Sequence, residues 1–89
     1  MKRNITWYYS AWQEYIQWQN TDKKILRKIN QIVEDIERDA FNGIGKPEAL
    51  RGDLSGTWSR RINDKHRLLY IVYPQAITII SCYGHYDDK

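Results

Sequence analysis

At 89 residues and 10.7 kDa the chain is long enough for one compact domain and too short for a second hydrophobic core. A composition of 42% hydrophobic and 28% charged residues excludes a disordered chain; no apolar run approaches the roughly 20 residues that cross a bilayer, and MKRNITWYY has no apolar leader core, so a cytoplasmic protein is expected. The net charge of +3 is localised: between Lys46 and Arg67 six basic residues (Lys46, Arg51, Arg60, Arg61, Lys65, Arg67) face three acidic ones (Glu48, Asp53, Asp64), beside Trp58 and Tyr70. That pattern fits a polyanionic partner with stackable bases, and equally a solvated basic loop and hairpin.

Residues 4 to 9, NITWYY, alternate Ile5, Trp7 and Tyr9 with other residues and predict a first strand. Ser10 followed by Gln13 has the spacing of a capping box, after which Trp12, Tyr15 and Ile16 share a helix face flanked by Trp18. Gln19, Asn20 and Thr21 predict a stop and a new cap. From Asp22 to about Asp39 the spacing of Ile25, Ile29, Ile32 and Ile36, with Leu26 and Val33 alongside, predicts a helix with one broad apolar face. Its charges oppose the macrodipole, with Lys23, Lys24, Arg27 and Lys28 early and Glu34, Asp35, Glu37 and Asp39 late, which suits either a solvated face or a phosphate track.

Gly43, Gly45, Pro47 and Gly52 predict a long exposed connection from Phe41 to Leu54. Three strand-like runs follow at 57–63, 66–73 and 76–83, joined by short turns at Asp64-Lys65 and Pro74-Gln75. The order predicts an α+β fold: an N-terminal strand, two helices, then an antiparallel sheet of consecutive strands with the helices on one face. Alternation sets Arg67, Leu69, Ile71 and Tyr73 on one face of the middle run and His66, Leu68, Tyr70 and Val72 on the other. Arg67 is thereby read as a guanidinium that projects from a strand, suited to a phosphate or to a salt bridge with Glu48 or Asp64, and His66 as a surface or half-buried imidazole.

Zinc, nucleotide and acyl-transfer motifs are absent, so no metal and no cofactor is expected. Cys82 lies in the apolar run ITIISCY and reads as a buried, inert thiol. His85 follows a strand end between Gly84 and Tyr86, where a side chain can reach a substrate. With four tryptophans in so small a chain, some rings are expected at an interface, Trp7 and Trp12 being assigned to the core.

The segments WQNTDKKILRKIN and GIGKPEALRGDLSGTWSRRINDKHRLLY and the ending CYGHY resemble the YoeB (Txe) toxins of the RelE superfamily over nearly the whole chain. GKPE, LSGxWSRRI and HRLxY are specific together in this order and spacing. The resemblance implies an endoribonuclease that enters the ribosomal A site and cuts messenger RNA. It further implies a YefM/Phd-type antitoxin as partner, toxin dimers, and no DNA binding by the toxin alone. By family, Glu48 corresponds to the general base, Arg67 to the transition-state arginine, His85 to the general acid and Tyr86 to the C-terminal aromatic of the active site. Lys46, Arg51 and Arg61 match basic positions near the scissile phosphate or ribosomal RNA, and Lys65 joins them as an RNA-binding candidate in the basic stretch. Such a set implies attack by the RNA 2′-hydroxyl, leaving a 2′,3′-cyclic phosphate and a 5′-hydroxyl. Two departures stand out: Tyr83 replaces a basic residue and Gly84 an often aromatic one, and Asp87, Asp88 and Lys89 extend the usual end. A non-catalytic block of the A site and a gyrase-directed toxin on the same scaffold are the competing readings.

Overall fold

The computed structural model describes residues 2 to 85. Strand β1 (Asn4–Trp7) leads into helices α1 (Tyr9–Thr21) and α2 (Lys23–Arg38); β2 (Glu48–Ala49), a 3-10 turn (Gly52–Leu54), β3 (Trp58–Arg61), β4 (Arg67–Val72) and β5 (Ala76–Ser81) follow. These strands form one sheet in the order β1-β5-β4-β3-β2. The consecutive strands are antiparallel, as expected, but β1 joins β5 in parallel, from Asn4 opposite Ala76 to Trp7 opposite Ile79. Among the described residues no helix is long and apolar enough to cross a membrane.

Helix α2 follows the predicted isoleucine spacing, and Ile29, Ile32 and Ile36 have no exposed surface. Burying an isoleucine contributes about 1.5–3 kcal/mol, so this stripe is a principal anchor of the helix layer. It packs with Ala11 and Trp18 of α1 on the sheet face that carries Leu68, Tyr70, Ile77 and Ile79. The cap is Asp22, whose carboxylate accepts from the amides of Lys24 and Ile25; the Thr21 hydroxyl instead donates back to the Gln17 carbonyl.

Helix α1 departs from its prediction. The Tyr8 amide donates to the Ile79 carbonyl and the Tyr8 carbonyl accepts from Trp12, so the helix opens at Tyr9 and Tyr8 takes the cap position without a side-chain bond. Tyr9 is therefore helical, not part of the strand, and the Ser10–Gln13 capping box does not form. The resulting phase turns Ala11 and Trp18 inward and leaves Trp12 and Ile16 about 40% exposed. Trp12 is thus a rim residue, in a cluster with Trp7 at 5.8 Å and Tyr15 at 5.5 Å, instead of a core one.

Between the layers sits Arg60, fully buried. Its Nε donates to the Tyr70 hydroxyl (3.1 Å), Nη1 to Asp35 (2.6 Å) and the Ile44 carbonyl (3.2 Å), and Nη2 to the carbonyls of Asp39 (2.7 Å) and Asn42 (3.2 Å). The Tyr70 hydroxyl in turn donates to the Ala40 carbonyl at 2.9 Å. Asp35 is also paired with Arg38, accepts from the Ile44 amide, and is held down to about 2 by the Arg38 hydrogen bond first, against burial, with Ile44 and Arg60 assisting. A Cβ at Gly43 would lie 1.8 Å from the Asp35 carboxylate, so only glycine lets the loop pass. The connection from Phe41 to Leu54 is accordingly less open than predicted: this network fastens its first half and β2 its second.

Arg60→Met takes the buried partner from Asp35, which keeps only Arg38 and the Ile44 amide, and strips the donor from the carbonyls of Asp39, Asn42 and Ile44, so chemical denaturation is expected to show a loss of about 3–5 kcal/mol. Tyr70→Phe, which costs hydrogen bonds but no charge, is expected to lose about 1–3 kcal/mol by the same measurement. Equal, small losses in both contradict the hub.

Candidate active site

Because β3 and β4 alternate, the face turned away from the helices has its own side chains. Arg60 and Ile62 point to the core, so Ser59 and Arg61 point away, as do Arg67 and Leu69 beside the inward Leu68 and Tyr70. Pairing then aligns two rows. Glu48 lies opposite Ser59 and Ser59 opposite Leu69; Arg61 lies opposite Arg67. Cross-strand partners share a face, so a carboxylate and two guanidinium groups occupy neighbouring rows of one surface.

The loop that delivers Glu48 is built for this. The Arg61 amide donates to the Gly45 carbonyl at 2.6 Å, and the Leu50 amide to the Thr57 carbonyl at 2.9 Å, bracketing the two residues of β2 against β3. Between them Lys46 has φ +51°, the single non-glycine with positive φ among the described residues. Left-handed backbone costs an L-residue about 1–2 kcal/mol, and the loop holds Lys46 there directly before Pro47.

His85 arrives from the other side. Leu69 pairs with Ser81 but Tyr70 with Ile79, so Ile80 is an extra residue in β5, a bulge that turns the strand's exit. The Arg67 amide then donates to the Gly84 carbonyl at 2.9 Å, setting His85 one residue from the backbone that carries Arg67. Arg67 itself is 9% exposed, with Nη1 donating to the carbonyls of Asn63 (2.6 Å) and His66 (3.1 Å). This corrects the reading of a freely projecting guanidinium: its direction is set by two carbonyls of the β3–β4 turn. Glu48, Arg61 and Arg67 are therefore brought to one side of the sheet, with Lys46 at the margin, and His85 follows the Gly84 carbonyl that the Arg67 amide holds. Arg51 is exposed at the start of the 3-10 turn, and Lys65 is exposed in the β3–β4 turn. Tyr86 lies outside the described residues.

Two residues of the basic region serve elsewhere. Arg60 is withdrawn from any polyanion by its burial, leaving five basic candidates there instead of six. His66, read as a surface or half-buried ring, is 6% exposed and packed against Trp18 and Tyr83. Both fall on the inward set of their strands, with Trp58 and Ile62 in one case and Leu68 and Tyr70 in the other, so the alternation itself carried the signal. Cys82 is buried and its thiol is pushed up to about 12, chiefly by burial and then by Glu14, in keeping with an inert residue. A separate groove of about 580 Å³ between α2 and the β3–β4 turn is lined by Lys24, Arg27 and Lys28 together with Asp22, away from these rows.

Over nearly its whole length the chain is similar to known proteins. Residues 7–86 match the family model described as a YoeB-like toxin of bacterial type II toxin-antitoxin systems. A toxin YoeB of Escherichia coli O6:H1 is 48% identical over 82 residues, 92% of this chain and 98% of that protein. The structure of a YoeB dimer from Staphylococcus aureus superposes with a TM-score of 0.88 at 46% identity, covering 97% of this chain and 100% of the other. A heterotetrameric YoeB-YefM toxin-antitoxin complex from the same organism matches with a TM-score of 0.86 at 46% identity, with the same coverage.

Lys46→Gly relieves a backbone conformation that glycine adopts freely, at the cost of extra freedom in the unfolded chain. Denaturant titration is expected to find the variant between unchanged and about 1 kcal/mol more stable. Lys46→Ala, with the strain retained, is expected to show no gain; a destabilised glycine variant contradicts the strain.

Proposed function

Since the chain belongs to the YoeB-like toxin family of bacterial type II toxin-antitoxin systems, we propose that it is a cytoplasmic, single-domain endoribonuclease that cuts messenger RNA in the ribosomal A site. The observation that carries the proposal is the pair of facing arginines, Arg61 and Arg67, in the row next to Glu48, with His85 drawn to the same strand end. Like charges directly opposite each other in a sheet are unfavourable. A phosphate that enters between them relieves the repulsion, whereas a merely structural surface has no use for it.

RNA supplies its own nucleophile. In this reading the Glu48 carboxylate takes the proton of the 2′-hydroxyl, whose oxygen attacks the adjacent phosphorus. The P–O5′ bond breaks as His85 delivers a proton to the departing oxygen. Arg67 holds the added negative charge of the phosphorane, which a guanidinium fork matches in shape as well as charge. Arg61, Lys46, Arg51 and Lys65 hold the RNA backbone, and Tyr86 corresponds by family likeness to the C-terminal aromatic of the active site. Products are a 2′,3′-cyclic phosphate and a 5′-hydroxyl, and the chemistry asks for no metal or cofactor. DNA lacks the attacking group and is not cut.

The partners follow from the likeness to the S. aureus proteins: a YefM-type antitoxin that neutralises the chain, and a second copy of it. Exposed Tyr8, Tyr9, Trp12 and Ile16 on and before α1 offer an apolar surface of the kind a protein partner covers.

Messenger bound to translating ribosomes is the substrate for the test. Glu48→Ala and His85→Ala are each expected to slow single-turnover cleavage by about 100- to 10,000-fold. Arg67→Ala is expected to slow it by about 100- to 1,000-fold. Unchanged rates in all three defeat the proposal. Inhibited translation without new RNA ends would leave a non-catalytic block of the A site, and breaks in gyrase-bound DNA a gyrase-directed toxin.

A further inference from the structure

Beyond β5 the chain leaves the sheet ladder, yet Cys82 to Gly84 are tied down residue by residue. The Cys82 amide donates to Glu14 at 2.8 Å and its carbonyl accepts from Trp18 Nε1 at 3.0 Å. Tyr83 stacks on Trp18 with ring centres 5.3 Å apart, and both rings meet the imidazole of His66 at 4.9 Å. The Gly84 amide donates to His66 Nδ1 at 2.9 Å, while its carbonyl accepts from the Arg67 amide. Consecutive residues at the start of β4 thus grip both polar ends of Gly84. Its φ of +78° aims the chain onward to His85 in a conformation that side chains rarely adopt.

An Nδ1 that accepts a hydrogen bond carries no proton, so this ring is neutral with its proton on Nε2. A protonated ring would set N–H against N–H and release the grip. Burial, then Lys65, holds the His66 pKa below its ordinary 6.5, and Asp22 opposes them. The titratable and charged groups around the ring are Asp22 from the helix junction, Lys65 and Arg67 from its own hairpin, and Tyr83 from the tail. Because the folded pKa is lowered, the grip is complete above the ordinary value and is lost as pH falls through the folded one.

We propose that His66 is a positioning residue: its Nδ1, within the Trp18–Tyr83 clamp, fixes Gly84 and so registers His85 against Arg67 for proton delivery. The proposal rests on the nuclease reading. It also gives the two unusual residues of this chain a purpose, Tyr83 as the lid on the imidazole and Gly84 as the turn that presents its amide to it.

His66→Asn places an amide oxygen where Nδ1 stood and has no ring to titrate; His66→Leu keeps bulk and loses the acceptor. Misplacement of a reacting group by about 1 Å costs about 100-fold. His66→Leu is therefore expected to lower kcat about 10- to 100-fold with KM little changed. His66→Asn is expected to recover most of that loss and to lack the fall in kcat that His66 protonation imposes at acid pH. In the wild type, nitrogen-resolved NMR is expected to show the Gly84 amide and His66 Nδ1 titrating with one midpoint. A Gly84 amide indifferent to that titration overturns the inference even if His66→Leu fails to fold. Equal kcat in folded His66→Leu and wild type overturns it while leaving the nuclease reading intact. A wild type that cuts no message overturns both.

Discussion

A single guanidinium buried between helix and sheet orders the loop from Asp39 to Ile44 that the sheet ladder does not reach. Arg60 has five N–H donors and uses them on a carboxylate, a phenol and three loop carbonyls. Burying a charge without partners costs several kcal/mol, and the partners here come from three parts of the chain. Asp35 comes from α2, Tyr70 from β4, and the carbonyls from the loop that must carry the chain back to the sheet edge. That loop cannot move without exposing or orphaning the charge. An apolar residue at position 60 fills the space but has nothing to offer five backbone and side-chain oxygens.

From this anchor the positions on the other face follow. β3 turns Arg60 inward and the next residue, Arg61, outward, so one strand serves both the core and the opposite face of the sheet. The Gly45 carbonyl accepts from the Arg61 amide, which transmits the fixed position of the loop to β2 and to Glu48. At the opposite side of β4 a second buried polar group, His66, does for the C-terminal segment what Arg60 does for the loop. Two inward-facing residues thus fix the backbone on which Arg61 and Arg67 face outward and from which the chain leads on to His85.

The legible parts of the sequence were those with a repeated local pattern. Ile25, Ile29, Ile32 and Ile36 announced α2, and alternation announced β3 to β5, because periodicity needs only neighbours in the chain. The parallel seat of β1 against β5 depends on pairing across some seventy residues, and β2 is two residues long, so neither leaves a period to read. Ser10 misled because the Tyr8 amide was already committed to Ile79, a tertiary bond that outweighs a cap of about 1 kcal/mol. Arg60 and His66 were visible on inward positions, yet their polarity argued for the surface; a buried cation or imidazole becomes legible only when its partners are known. At the site, the family motifs marked Glu48, Arg67 and His85, but the turn that fixes Arg67 and the clamp that leads to His85 came from the fold.

In the proposed reaction one ribose-phosphate linkage lies across the face turned away from the helices, between the Glu48 row and the end of β4 that carries Arg67. The direct measurement is a structure of the protein on a ribosome whose A-site messenger carries a 2′-O-methyl group at the cut position, which blocks attack. The Glu48 carboxylate is expected at that 2′-oxygen, the Arg67 guanidinium on the adjacent phosphate and the His85 ring at the 5′-oxygen, each within hydrogen-bond reach. Messenger bound instead along the α2 groove, with these three side chains away from the backbone, would contradict that arrangement.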